Sequence, residues 1–245
     1  MDASLVFALG LMGLVVGSFV GLVTVRLPVG EPVALGRSRC PACRRTLGAR
    51  DLVPVLSWMA LRGRCRTCGV AISIRYSLIE LSAGAIGALA GMAGNPAQAA
   101  LLALFGWVLL ALAILDAEHL WLPNRITLPL AAVGLAASFA PSGMGPFDSF
   151  AGAVAGYAGL VLVAALYRRL RGRVGLGGGD PTLLGAIGAW TGWQALPYVL
   201  LLAALGGLTI ALVLILLRRV DRTTRLPFGT FLAAAGWLVF AAQVM

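Results

Sequence analysis

The chain has 245 residues, 60% of them hydrophobic and only 11% charged, with a formal net charge of +10. This composition excludes an ordinary soluble domain, where about a quarter of residues are charged, and points to a polytopic membrane protein. Every basic residue is arginine, and the arginines fall between apolar runs, where topology signals belong, so the charge implies membrane lipid and no nucleic acid as partner.

Hydropathy predicts eight spans, at roughly 4–25, 76–93, 97–115, 127–141, 148–167, 182–195, 198–217 and 228–244. The first apolar run lacks a basic n-region and is long enough to span, so it is expected to stay in the mature protein and not to act as a cleaved signal. With the N-terminus outside, the inner loops 26–75, 116–126, 168–181 and 218–227 hold all nineteen basic residues. The positive-inside rule therefore orients the chain with those loops in the cytosol. Glycines within the spans allow close helix approach. Gly152-x-x-x-Gly156 is read as packing inside the bundle, with dimerisation as the alternative.

The one sizeable soluble piece, residues 27–75, is too small to bury much core and needs a staple. Cys40-Pro41-Ala42-Cys43 and Cys65-Arg66-Thr67-Cys68 supply it, as two C-x-x-C knuckles separated by 21 residues. That spacing fits a tetrahedral four-cysteine zinc site; a disulfide pair or a redox motif fits a reducing cytosol less well. Four thiolates leave no open coordination position, so the zinc is expected to be structural.

Nine carboxylates exist, and each can be placed. Asp2 and Asp148 lie near outer span starts, Glu31 and Asp51 in the cysteine piece, and Asp221 among arginines. Glu80 falls about one turn inside the second span, as a structural acceptor or a site residue. Asp116 closes one apolar run in Asp116-Ala117-Glu118-His119, and Asp180 opens another after Gly175-Leu176-Gly177-Gly178-Gly179. An Asp at a membrane helix centre costs about 2.5–3.5 kcal/mol, so one near a helix start is kept for a partner, a proton or a substrate. The glycines beside Asp180, lacking Cβ, let an extended backbone approach closely. Read blandly, Asp180 is an incidental anion at a helix N-terminus, favoured by the macrodipole.

Asp116, Glu118 and Asp180 can converge at one membrane face, Glu118 in a field or positioning role. His119 is the only histidine, and no G-x-S-x-G or His-Glu-x-x-His motif competes. His119 is either a hydrogen-bond partner of a carboxylate or a solvated side chain. Two aspartates close together in low dielectric share a proton, and such a pair can deprotonate water with one carboxylate while the other protonates a carbonyl or leaving amine.

At these residues the chain resembles the type IV prepilin peptidase family. Gly13-Leu14-Val15-Val16-Gly17-Ser18-Phe19 with Arg26-Leu27-Pro28 resembles the family's opening span. The two knuckles, Leu56-Ser57-Trp58 and Arg75-Tyr76-Ser77-Leu78-Ile79-Glu80-Leu81 resemble its zinc domain and second span. The Asp116 stretch ending Leu122-Pro123-Asn124, and Gly177-Gly178-Gly179-Asp180 followed by Gly188-Ala189-Trp190, resemble its two catalytic aspartate motifs. Departures are Gly21 in place of Asn, Ser77 in place of Pro, Thr182 in place of Lys, and an unusual Pro181.

The resemblance implies an all-α polytopic membrane protein of about eight transmembrane helices, with a cytoplasmic zinc-knuckle domain after the first. Residues 1–26 would form the first helix, 27–75 the zinc domain and 76–245 a membrane-embedded aspartyl peptidase domain. It implies cleavage of type IV prepilin or pseudopilin leaders at the cytoplasmic face of the inner membrane by Asp116 and Asp180, supported by Glu118, Gly177, Gly179 and Glu80. Methylation of the new N-terminus from S-adenosylmethionine is implied by the resemblance alone. Two other classes remain open: a catalytically impaired scaffold that binds pilin-like helices, suggested by Thr182, and a proton-coupled transporter, which would place its acids nearer span centres within an internal repeat.

Overall fold

In the computed structural model, which describes residues 2–33, 37–140, 143–172, 177–218 and 226–245, the apolar runs fold as α-helices. They are α1 (Ala3–Arg26), α2 (Leu56–Ala60), α3 (Arg75–Ala90), α4 (Pro96–His119), α5 (Asn124–Ala137), α6 (Pro146–Arg171), α7 (Asp180–Thr191), α8 (Leu196–Leu216) and α9 (Phe228–Val244). Among the described residues no strand forms beyond isolated bridges. The eight predicted spans correspond to α1 and α3–α9, and α2 is an additional short helix in the cysteine-bearing loop. Gly175 and Leu176 of the glycine run, and Asp221 with its neighbouring arginines Arg219, Arg222 and Arg225, lie outside the described residues.

By length and composition, four described helical stretches can each cross a membrane: Ala3–Val29, Pro96–His119, Pro146–Arg171 and Trp193–Leu216. The others are shorter, and for α7 the packing supplies the reason. Helix α7 has 12 residues, or about 18 Å at 1.5 Å per residue, against about 30 Å of hydrocarbon. Every residue of α7 except Thr182 is buried, so protein and not lipid surrounds it.

The chain forms two compact units, Met1–Trp107 and Val108–Met245. In the first, α1 and α3 pack along a seam of small residues. A Cβ on Gly13 would meet the Ala83 carbonyl, one on Gly87 would meet the Leu9 carbonyl, and one on Gly17 would stand 2.6 Å from the Glu80 Cα. Trp107 locks the seam by donating its indole N–H to the Ala83 carbonyl at 2.9 Å.

In the second unit, α5, α6 and α9 pack around α7. Gly152 and Gly156 of α6 face α7, as expected for packing inside the bundle. A Cβ on Gly152 would strike the Gly188 carbonyl, and one on Gly156 the Leu184 carbonyl at 2.6 Å. Trp190 lies against Gly134 of α5, donates its indole N–H to the Leu130 carbonyl at 2.8 Å, and meets the Phe240 ring edge-on at 5.6 Å. Close small-residue contact of this kind is how helices associate when the solvent is lipid.

Candidate functional site

Asp116 lies in the last turn of α4, and Asp180 is the first residue of α7. Both carboxyl residues are buried, at 5% and 3% exposure. Each accepts backbone N–H donors, and for Asp116 these come from the start of a helix, where unpaired donors and the macrodipole favour an anion. For Asp116 that helix is α9: Thr230 donates its N–H to Asp116 Oδ2 at 2.8 Å, and the Gly229 N–H also bonds the carboxylate. The Thr230 hydroxyl lies 2.9 Å from the Ala113 carbonyl and 3.3 Å from Asp116 Oδ2, so its single proton favours the carbonyl. Asp180 opens α7 and accepts the N–H of Gly177, in the glycine loop before that helix, which closes a turn onto Oδ2 at 2.9 Å.

Leu122 packs between the Gly179 turn before α7 and Gly229 at the start of α9. A Cβ on Gly179 would sit 2.6 Å from the Leu122 Cβ, and one on Gly229 would sit 2.7 Å from Leu122 Cδ1 and 2.9 Å from Asp116 Oδ2. A side chain at Gly179 would press on the Leu122 Cβ and carbonyl, whereas one at Gly229 would press only on the movable ends of Leu122 and Asp116. The two carboxyl groups lie within electrostatic range of each other. Pro181 occupies the first turn of α7, where its missing N–H costs nothing. Thr182 bonds the Gly179 carbonyl through its hydroxyl at 2.7 Å, so the residue that departs from the resembled pattern ties down the glycine turn.

Glu118 is on α4 two positions after Asp116, a spacing that points it to a different helix face. Its side chain is 36% exposed and lies 4.0 Å from the His119 imidazole. Glu80 belongs to the first unit, where it is buried and accepts the Val55 N–H at 2.7 Å. Gly229 and Thr230 were not among the residues singled out from sequence. Their signal was a glycine and a hydroxyl in the first turn of an otherwise apolar run, directly after Leu226-Pro227.

The cysteine piece forms a second centre. All four Sγ atoms lie within 4.8 Å of one another, with Cys40 and Cys65 buried and Cys43 and Cys68 exposed. Cys40 Sγ and Cys68 Sγ are 3.8 Å apart. A tetrahedron with arms of about 2.3 Å has edges of about 3.8 Å, so the cluster fits zinc, and the spacing is far too long for a disulfide.

The two knuckles are built alike. The Cys40 N–H bonds the Arg45 carbonyl and the Arg44 N–H returns to Cys40; the Cys65 N–H bonds the Val70 carbonyl and the Gly69 N–H returns to Cys65. Arg44 and Gly69 both take positive φ at the equivalent position. Backbone N–H groups of Cys68 and then Thr67 point at the Cys65 thiol and lower its pKa, as suits a thiolate ligand.

Asp51 joins the knuckles, accepting from Arg66 Nε at 2.9 Å and lying 3.4 Å from Arg45 Nη2. The Arg66 hydrogen bond first, then the Gly48 N–H, hold its carboxyl below the usual range.

Residues 11–93 match the bacterial peptidase A24 N-terminal domain, and residues 103–212 match the type IV leader peptidase family. The chain is 40% identical to the prepilin leader peptidase/N-methyltransferase of Aeromonas hydrophila, an alignment covering 96% of this chain and 89% of that protein. It is 41% identical to the protein of the same name from Dickeya chrysanthemi, over 97% of this chain and 93% of that one. Against the Burkholderia pseudomallei (strain K96243) protein of that name the identity is 43%, over 95% and 83%. No solved structure matches. With both domains matched in order, and relatives of this identity aligned nearly end to end, the chain belongs to the type IV leader peptidase family.

Proposed function

We propose that this protein is a membrane-embedded aspartic endopeptidase that removes the leaders of type IV prepilins or pseudopilins, with Asp116 and Asp180 as the catalytic pair. The observation that carries this reading is the pair itself: two buried carboxyl groups, in range of one another, each accepting a backbone N–H.

In this reading one carboxylate takes a proton from water, and the resulting hydroxide forms the new bond to the scissile carbonyl carbon. The other carboxyl gives its proton to the carbonyl oxygen. Collapse of the tetrahedral species breaks the C–N bond, with the proton passing to the leaving amine. The hydrogen bonds of Gly177, Gly229 and Thr230 orient the two carboxylates, and Leu122 packs between the Gly179 turn and the start of α9.

The arginine distribution supports an inner-membrane protein with its N-terminus outside and this site at the cytoplasmic face. The four cysteines would hold a structural zinc that stiffens residues 27–75 and takes no part in hydrolysis. Methylation of the released N-terminus comes from the names of the relatives. The open apolar groove on the outer surface of α1 and α3, lined by residues such as Phe7, Leu11, Leu14 and Leu81, offers no charged group to a methyl donor.

The test is co-expression with a prepilin and mass spectrometry of its N-terminus. Asp116→Asn and Asp180→Asn should each leave the leader in place while the protein still inserts and binds zinc. Processing near the wild-type rate by either variant would sink the reading. An unmethylated but cleaved product from the wild type would remove only the methyltransferase half.

A further inference from the structure

The buried Glu80 does something the peptidase reading does not use. Its carboxylate reaches out of α3 and accepts the N–H of Val55 at 2.7 Å, at the start of α2. Val55 has φ 59° and ψ −50°, a region that a β-branched residue enters only when its surroundings force it. The contact thus fixes where α2 sits relative to the membrane helices of its own unit.

That level can be read from two helices. Glu80 is about 7.5 Å along α3 from Arg75, at about 1.5 Å per residue. On α1 it faces Gly17, which is about 13 Å from Arg26 by the same rise. The charge bias of loops puts the arginine-bearing ends of α1 and α3 at the membrane surface, so α2 is tied to a carboxylate about one turn or more deeper along both helices.

The short helix has two faces. Trp58 points inward, covering Gly63 and donating to the Ile72 carbonyl at 3.0 Å. Leu56 and Met59, one turn apart on the other side, are 64% and 62% exposed, and Leu52 and Val53 just before them are also exposed. Exposed arginines Arg50 and Arg62 flank this apolar face. An apolar face with basic flanks, tied to a carboxylate inside a membrane helix, is the chemistry of an interfacial anchor on an anionic leaflet.

We propose that residues 52–59 dip into the membrane, seating Leu56 and Met59 at the boundary between headgroups and acyl chains of the leaflet that faces the arginine-rich loops, and that Glu80 is the latch that holds them there. The zinc knuckles would then be tethered at both sides of α2, by the latch before it and the Trp58 contact within it. This inference does not depend on the peptidase reading.

The experiment uses the full-length, zinc-loaded protein in nanodiscs of phosphatidylethanolamine and phosphatidylglycerol, the latter carrying a photoactivatable diazirine on its acyl chain. Mass spectrometry maps the adducts, with the lipid-exposed residues of α1 as internal standard. Wild type and Glu80→Gln, which keeps an acceptor, should label at Leu56 and Met59 to within a few-fold of Phe7 and Val15. Glu80→Leu should lower the label on 52–59 at least fivefold while leaving α1 unchanged. Peroxide oxidation of Met59 from the aqueous phase should be slow in the wild type.

Label confined to α1, with Met59 oxidised as fast as a free methionine, would overturn the proposal by placing α2 in water. Absent label with slow oxidation would overturn it equally, because protein and not lipid would then cover the face. Unchanged labelling of 52–59 in Glu80→Leu would remove Glu80 as the latch.

Discussion

Gly229→Ala separates the geometry of the proposed site from the stability of the fold. The new Cβ would stand 2.9 Å from Asp116 Oδ2 and 2.7 Å from Leu122 Cδ1, where ordinary contact begins at 3.4 Å. Both obstructing atoms are free ends of side chains, so relief comes from a retreat of the carboxylate by about 0.5 Å, with the helix left in place. A misplacement of about 1 Å can cost about 100-fold in rate, so about tenfold is expected here, or about 1.4 kcal/mol in the barrier. The Gly229 N–H survives the change, and alanine narrows the unfolded ensemble by about 0.4–1 kcal/mol, which offsets the local crowding. Steady-state cleavage of a prepilin leader in liposomes should therefore show kcat down about tenfold, with the thermal midpoint within a few degrees of wild type. Wild-type kcat would refute the placement of Asp116 against α9. A midpoint lowered in step with activity would show that Gly229 serves the fold and not the site.

Thr230→Val keeps the N–H on Asp116 and removes a hydroxyl whose proton favours the Ala113 carbonyl; kcat should fall only a few-fold and Thr230→Ser should restore it. Gly188→Leu should abolish folding, read as loss of a defined thermal transition, because its Cβ would meet the Gly152 carbonyl and neither backbone can yield.

The purified protein should carry about one zinc, and Cys40→Ser should lose it and expose residues 27–75 to protease. Asp51 has its carboxyl held low, so its contribution is fully present above the unfolded value of 3.8 and is lost only as pH falls through the lower folded value. It is still ionised when thiolates begin to protonate. Asp51→Asn should thus shift acid release of zinc, followed with a chelating dye, to higher pH.

Glu118 is exposed beside the site-bearing end of α4. Glu118→Lys should slow a leader rich in basic residues more than one carrying Gln in their place, and equal slowing would exclude charge matching at the entrance.

Composition alone marked the chain as a polytopic membrane protein, because burial in lipid selects apolar residues locally, run by run. The cysteine spacing and the two aspartates were equally legible, since a zinc knuckle and a glycine turn are each built from a few consecutive residues. Sequence could not decide what holds Asp116, because its donors Gly229 and Thr230 lie more than a hundred positions away and meet it only when α9 packs beside α4. Glu118 is grouped with the pair by elimination among the carboxylates; only the structure gives its exposure, 36%, and its neighbour, the His119 imidazole at 4.0 Å. The burial of the 12-residue α7 likewise follows from its neighbours: a helix too short to cross a bilayer is stable there only when other helices wrap it, and that is a property of the packing.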